Sequence, residues 1–519
     1  MSGRTEEKRN SFSRICAGAV LALTLAFMAF LLPMSLIRTT GMSTGGVGGE
    51  IVTFNYDNFF LNVIVLAICT AAVYILNRML GHISVRRVTA VLAAWVLVFG
   101  LAFVCSAKLQ PSEDSYVVTF FARQAAKGDF SYYKEYFTFF PYQFGFALYE
   151  ELVFRAFNLV LPGAPEGFSA LALQGLNVIY LAVSYAAVIA CAGHMTKNIA
   201  VQKITAVLLA FFLPGLLFTT YMYGMIPGFA CAVCAVLAFL RFQERERAAD
   251  GVLCAVLLAL AVCLKLNCII FFIALVIVWC VLLVKKPGWK SAMCLVLTVA
   301  AVLAAKDMPQ RIYERRSGND YGSGVPRLCW MAMGMSEGKS CSGWYERAYT
   351  TDVYAASGYD PAATEETARE TIAARMEYFR ENPRECERFF SRKLLSQWNE
   401  PTYQGLWTNQ VRKNYSEPGK LYELICRSFA RRLTQLMNYF QQLVFLGFTM
   451  GLVLMWRKRD IKTVLFPLVI LGGLLYHLLF EAKSQYALCY VILMIPVAAY
   501  GFIRLSDFAA ERSERHGKE

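Results

Sequence analysis

Long apolar runs separated by short polar gaps fill most of the chain. A run spans a bilayer core of ~30 Å, at a helical rise of ~1.5 Å per residue, once it holds about 20 residues. Runs near that length fall at 16–37, 58–77, 88–107, 167–192, 204–223, 225–241, 251–267, 268–284, 291–306, 438–456, 463–480 and 486–504. The pattern predicts an all-α polytopic membrane protein with about 12 transmembrane helices. The closely spaced pairs within 204–241 and 251–284 allow other divisions. The first run follows a basic segment, exceeds a signal-peptide core and lacks a small-residue cleavage site, so it reads as a retained span.

Three long hydrophilic stretches remain, at 38–57, 108–166 and 307–437. With the N-terminus inside, all three emerge on the outer side. The expected organisation is a transmembrane region over 1–306 that includes the outer loop 108–166, then an extracytoplasmic loop domain over 307–437. A C-terminal transmembrane region and cytoplasmic tail follow over 438–519. The large loop opens with a Gly-rich irregular part, "RRSGNDYGSGVPRLCWMAMGMSEGKSCSGWYE", and continues with a helical pattern from Pro361 to Trp398. Acidic residues near the start of that pattern and basic ones near its end suit the helix dipole. Its apolar content predicts a small, mainly helical outer domain leaning on the membrane part.

Composition agrees: 57% of the 519 residues are hydrophobic and 17% charged, and the mean hydropathy is +0.44. The net charge of +14 does not indicate nucleic acid, because its cations cluster in alternate short gaps. Arg4, Lys8, Arg9 and Arg14 precede the first run; Arg78, Arg86 and Arg87, Arg241 and Arg245, Lys285 and Lys286, and Arg457 to Lys462 fall between later ones. That alternation places both termini in the cytoplasm and favours anionic lipid. Most of the 16 cysteines lie in apolar runs as small hydrophobes. Cys329 and Cys341 are close enough in an outer loop to pair, although no framework of paired spacings surrounds them. No P-loop, HExxH or paired CxxC is present, and the four histidines give no metal pattern, so no cofactor or metal site is predicted. A divalent-ion requirement stays open.

The informative polar residues are those that interrupt this layout. In "LQPSEDSYVVTFFARQAAKGDF" Glu113 and Asp114 begin an amphipathic helix at the outer surface, where capping its positive end is one role open to them. Residues 130–149 then carry eleven aromatics, which reads as an interfacial segment with rings at head-group depth beside Arg123, Lys127 and Lys134. Within it, Pro141 and Gly145 of "PYQFG" break the helix and leave Gln143 exposed to hydrogen bonding, with Tyr142 beside it as a further candidate for substrate binding. Lys265, in "AVCLKLNCII", is a cation at the end of an apolar run, costly unless it snorkels or binds an anion. Trp398 and Trp407, with Asn399 and Tyr403 between them, offer aromatic faces suited to a sugar or to packing. Asp57 reads as structural.

The order of an outer-loop acid, "KGDF", "FFPYQFG", "KLLSQWNEPTYQGLW" and "FEAKSQYALCY" resembles the membrane glycosyltransferases of the GT-C superfamily. The branch resembled is the bacterial one related to dolichyl-phosphate-mannose protein mannosyltransferases. The resemblance implies a GT-C fold and an inverting, mannosyltransferase-like transfer of a sugar from a polyprenyl-phosphate donor to a cell-envelope acceptor, outside the cytoplasmic membrane. It implies Asp114 as general base with Glu113 as its fallback. It also implies Lys483, Glu481 and Tyr486, from the family's "E-x-K/R-x-R-Y" motif, at the donor phosphate. Gln485 stands where that motif carries Arg, so Lys483, Lys265 or Arg327 would supply the charge. The lipid bilayer, the donor and the acceptor are the expected partners. The alternative is a multi-pass transporter or lipid flippase, which would show ionisable residues or broken helices at mid-membrane. Here polar material gathers on one side instead. A non-catalytic assembly factor of the same fold is the third possibility, because Gln485 weakens the motif.

Overall fold

The computed structural model describes residues 2–43, 50–163 and 166–516, with the side chains of 2–6, 8, 166 and 507–516 left aside. The side chains of Arg4 and Lys8 of the basic start, and parts of the loops 38–57 and 108–166, therefore lie outside what is described. Among the described residues nine helices are long and apolar enough to cross a membrane, from Arg9–Ile37 to Ser484–Ser506, and three shorter apolar helices, Ile199–Phe211, Ala248–Leu264 and Leu465–Leu479, accompany them. The chain is thus a mainly α-helical multi-pass membrane protein. Each of the twelve apolar runs coincides with one of these helices, and the run at 204–223 breaks early.

That break has a local cause. Ile199–Phe211 gives way to a short helix, Leu213–Phe218, because Pro214 cannot continue the hydrogen-bond ladder. The chain then turns through "TTYMYG" before Met225–Arg245 begins. Burial separates central from peripheral helices: 83% of the apolar window of Ser484–Ser506 is enclosed by protein, against 17% for Phe59–His82.

The loop 38–57 holds a feature the apolar pattern did not suggest, an antiparallel hairpin of Arg38–Ser43 and Ile51–Tyr56 in the register Arg38 to Tyr56. Its β-branched and aromatic alternation, "IVTFNY", is the signal that predicts a strand. Thr40 N donates to Asn399 O at 3.1 Å, and Met42, Val52 and Phe54 pack against Trp344 and Ala482. Asp57 accepts from Asn438 Nδ2 at 2.9 Å, in the structural role read for it.

In the large loop the helical pattern from Pro361 to Trp398 forms two helices, Pro361–Glu381 and Pro383–Trp398, divided where Pro383 starts a new first turn. The Gly-rich part contains a helix, Arg327–Gly334. Residue 306 lies within the helix Trp289–Ser317, which continues past the boundary drawn there. Cys329 and Cys341 are both buried free thiols.

The aromatic run is mostly interior, not a lipid-facing anchor. Phe137 and Phe144 are fully buried and stack at 4.2 Å, with Phe121, Tyr313 and Tyr321 around them. Tyr313, near the end of Trp289–Ser317, lies 5.2 Å from the Phe121 ring and 5.0 Å from that of Phe144, so the rings pack on protein. Arg123 is likewise packed, over the Phe154 ring, whereas Lys127 and Lys134 are exposed.

Candidate active site

Asp114 sits in the first turn of Glu113–Ala126. The helix is capped without it: Ser112 N donates to Ser115 Oγ at 3.1 Å, and that hydroxyl donates back to Ser112 O. The Asp114 carboxylate instead accepts from the Tyr223 hydroxyl at 2.9 Å, and Gln143 Nε2 donates to that same hydroxyl at 2.8 Å. Gln143 is buried, not exposed as its position after Pro141 had suggested. Burial, then the Asp114 charge, holds the Tyr223 phenol well above the ordinary tyrosine range, so it stays a neutral donor that orients one carboxylate oxygen. Glu113 is exposed and adopts φ +48.

Two close backbone approaches assemble this corner. A Cβ on Gly145 would meet Cys263 O at 1.8 Å, and one on Gly224, at φ +71, would meet Leu264 O at 2.3 Å. The missing side chains let Phe144–Val160 and the Tyr221–Tyr223 turn close on the end of Ala248–Leu264. Lys265 follows directly, and its Nζ lies 3.7 Å from the Tyr223 ring centroid and 6.0 Å from that of Tyr486. Asp114 and Glu481 both act on it through space.

The segment from Phe480 to Lys483 forms the opposite side. Lys393 donates to Phe480 O at 2.7 Å and to Gly334 O. His477 Nδ1 donates to Glu481 O at 2.7 Å, and Ala482 N donates to Gly343 O at 2.8 Å. The segment is therefore held by both the large loop and a membrane helix. Tyr486 donates to Glu481 Oε2 at 3.0 Å. Burial raises the Glu481 carboxyl above its usual range, against the pull of Lys483. Lys483 Nζ pairs with Glu50 Oε1 at 2.6 Å. Burial alone would lower its ammonium, but Glu50 and then Glu481 override this and hold it above the usual lysine range.

A third wall is aromatic. Phe140 lies 6.1 Å from Tyr142 and 6.0 Å from Trp330, and Trp330 lies 6.3 Å from Tyr345. Tyr142 keeps 36% of its surface exposed, Trp330 and Tyr345 are half-buried, and the Asp114 and Glu481 charges reach both tyrosines. Arg327, exposed, acts on Tyr476 beside Glu481.

Asp114, Gln143, Lys265, Tyr486 and Glu481 thus form one chain of contacts around Tyr223, which we call the cleft, with Tyr142 and Lys483 within electrostatic reach of it and Arg327 near its edge. Trp398 and Asn399 do not line it. Trp398 is fully buried with its ring 5.6 Å from Tyr490, and Asn399 binds Arg38 O and Gln441, so neither offers a free face. Trp407 is spent on Ser43 O. Residues outside the sequence reading are Glu50, Tyr221, Tyr223, Trp330 and Tyr345. The two tyrosines of "TTYMYG" lay inside an apolar run, where only the adjoining Gly and Thr pair signalled a break. Among the described residues no group of three His, Cys, Asp or Glu is arranged to hold a metal ion.

Chemically, the cleft offers a carboxylate oriented by a neutral phenol, two lysines and an open aromatic wall. No protein-family model and no curated protein matches the chain. Among solved structures it is similar to the archaeal oligosaccharyltransferase AglB from Archaeoglobus fulgidus, in complex with an inhibitory peptide and a dolichol-phosphate. The identity is 12% and the TM-score 0.38, over 81% of this chain and 52% of that one, so the chain spans about half the length of that relative.

Proposed function

We propose that the protein is an inverting glycosyltransferase that moves a sugar from a polyprenyl-phosphate donor to a hydroxyl of a cell-envelope acceptor on the outer membrane face. The observation that supports this reading is that Asp114 and Lys265 share the Tyr223 ring and hydroxyl, while Lys483 lies within electrostatic reach of Lys265 and Glu481. Asp114 takes the proton of the acceptor hydroxyl as that oxygen attacks the anomeric carbon, and the bond from that carbon to the donor phosphate oxygen breaks. The electron pair leaves with the polyprenyl phosphate, whose negative charge the two lysines stabilise. Tyr223 keeps the carboxylate aimed, and Gln143 keeps Tyr223 aimed. Tyr142, Trp330 and Tyr345 face the sugar, whose apolar side suits a ring. The layout of "KGDF", "FFPYQFG" and "FEAKSQY" along the chain supports a GT-C fold for this chemistry.

The test is sugar transfer by purified protein from polyprenyl-phosphate sugars, comparing wild type with Asp114→Asn. Loss of about two to four orders of magnitude is expected for the variant, the range of a general base. Equal transfer by both proteins removes Asp114 from the base role. If the wild type transfers nothing yet moves lipid across vesicles, the protein is a transporter.

A further inference from the structure

Lys483 and Lys265 are the two lysines of the cleft, yet they are held differently. Lys265 rests on the Tyr223 ring, its Nζ 3.7 Å from the centroid. Lys483 is engaged by a carboxylate from far away in the chain. Glu50, directly before the strand Ile51–Tyr56, places Oε1 at 2.6 Å from Lys483 Nζ. The same oxygen accepts from Gln404 Nε2 at 3.3 Å. The side chains of Lys483 and Glu50 are 19% and 21% exposed, so the pair is screened from water but still reached by it.

The backbone around this pair is fixed independently of it. Ser43 O accepts from Trp407 Nε1 at 3.1 Å, and Val52 and Phe54 pack against Trp344 and Ala482. Ala482 N is bonded to Gly343 O. The ion pair is therefore not what attaches the hairpin to the 480–483 segment, and a carboxylate in contact with Lys483 fulfils no bond the backbone leaves open. It also adds a third acid to a cleft that already holds Asp114 and Glu481. For a site that admits a phosphate this is unfavourable, unless the third carboxylate leaves when the phosphate arrives. Carboxylate and phosphate oxygens make the same charge-assisted hydrogen bond to an ammonium group, so the two compete for one seat.

We propose that Lys483 and Gln404 form a seat for the phosphate of a lipid phosphoester, and that Glu50 is the exchangeable anion filling it in the empty protein. This rests on the reading of the cleft as a polyprenyl-phosphate site. A phosphate binds by displacing the Glu50 carboxylate, which turns to water while its backbone stays in place. Lys265 meets the phosphate from the other side. The seat is thus protected from small anions of low affinity, and opened by a ligand whose lipid tail adds binding energy.

Direct binding to the full-length protein in detergent tests this, with a short-chain polyprenyl phosphate and inorganic phosphate as separate probes. Removing a competing charge-assisted contact is expected to tighten lipid-phosphate binding about tenfold in Glu50→Gln. Glu50→Asp, one methylene shorter, gives a smaller gain in the same direction and guards against a folding defect in the first variant. Lys483→Ala weakens binding and abolishes the gain that Glu50→Gln otherwise produces. Binding that is unchanged or weaker in both Glu50 variants overturns the proposal and makes Glu50 a positioning residue for Lys483. Inorganic phosphate binding as tightly as the lipid assigns the seat to a free anion and overturns its lipid source. Tighter lipid-phosphate binding without any sugar transfer leaves the seat standing and removes the glycosyltransferase reading. Sugar transfer that depends on Asp114, with no effect at Glu50, does the reverse.

Discussion

Glu150 allows a test of the site's scaffold that needs no substrate. Its side chain is fully buried, Thr119 Oγ1 donates to Oε1 at 3.2 Å, and Oε2 has no partner among the described residues. Burial raises the carboxyl from 4.5 to about 8, with Thr119 and Arg123 only partly opposing it. Between those values the folded protein keeps a proton that the unfolded chain has released. Stability therefore falls as pH rises through this window, by up to ~1.4 kcal/mol per pH unit. The whole interval corresponds to at most ~5 kcal/mol, and relaxation and water penetration reduce this to about 2–3 kcal/mol. Glu150→Gln carries no proton to lose, so its stability is flat in this respect. The amide keeps an acceptor for Thr119 but brings two N–H donors to the place of Oε2, where the protonated carboxyl has at most one, at a cost of about 1–2 kcal/mol. The two profiles cross: the variant is the less stable protein near pH 5 and the more stable near pH 8. Thermal unfolding of both purified proteins in detergent, at half-unit pH steps, reads this directly. Parallel profiles would refute the reasoning and mean that Glu150 ionises as it does in water. Because Thr119 lies on the helix that carries Asp114, the same bond fixes the back of that helix.

Three further outcomes follow from the geometry. Trp330→Ala and Tyr345→Ala each remove a ring of the open wall and raise KM for the sugar donor about fivefold, for a loss of ~1 kcal/mol, whereas Trp398→Phe lowers stability and leaves KM unchanged. A rise in KM in the Trp398 variant alone would return the sugar platform to that ring. Burial lowers Lys393 to about 7, against the pull of Glu481, so between that pH and 10.5 the unfolded chain holds the extra proton and stability rises with pH; Lys393→Met loses that slope in the same unfolding assay. Arg316→Ala removes two of the bonds to the buried Glu151, of 2.7 and 2.9 Å, leaves it Arg155 at 2.8 Å and the Tyr313 hydroxyl at 2.7 Å, and costs about 1–2 kcal/mol, while Arg316→Lys costs less because one bond survives.

The parts of the site that could be read from sequence are those where a polar residue interrupts an apolar context. Asp114 follows a proline at the mouth of a loop, and Lys265 closes an apolar run. Lys483 sits between two runs, and the cost of burying each charge is visible without a structure. The twelve apolar runs were legible for the same reason. Tyr221 and Tyr223 were hidden, since tyrosine is as much at home in an apolar run as beside one. Glu50 could not be read at all, because an ion pair between residues 50 and 483 is a product of tertiary packing. The aromatic run misled through composition: rings of residues 130–149 suit an interface and a protein core equally, and the choice is made by the end of Trp289–Ser317 packing over them. Trp398 shows the converse, a residue in a plausible sugar-binding pattern that tertiary packing spends on the core.

These misses share a physical cause that bears on how the site works. The reacting side of the cleft comes from helix ends and turns next to the membrane, but the 480–483 segment is held in place by residues of the large loop. Lys393 reaches across to Phe480 O and Gly334 O, and Gly343 O takes the Ala482 amide. Neither anchor touches Glu481 or Lys483 side chains, so each acts only by fixing where those side chains start. Lys393 has little freedom in this role, since a buried ammonium released from both carbonyls would keep the cost of burial and lose its compensation. A loop that supplied only a lid would not carry such a cost. The large loop is therefore built into the floor of the cleft, and a change that loosens Lys393 should disturb Lys483 and Glu481 together while leaving the Asp114–Tyr223–Gln143 chain, anchored at Gly145 and Gly224, in place.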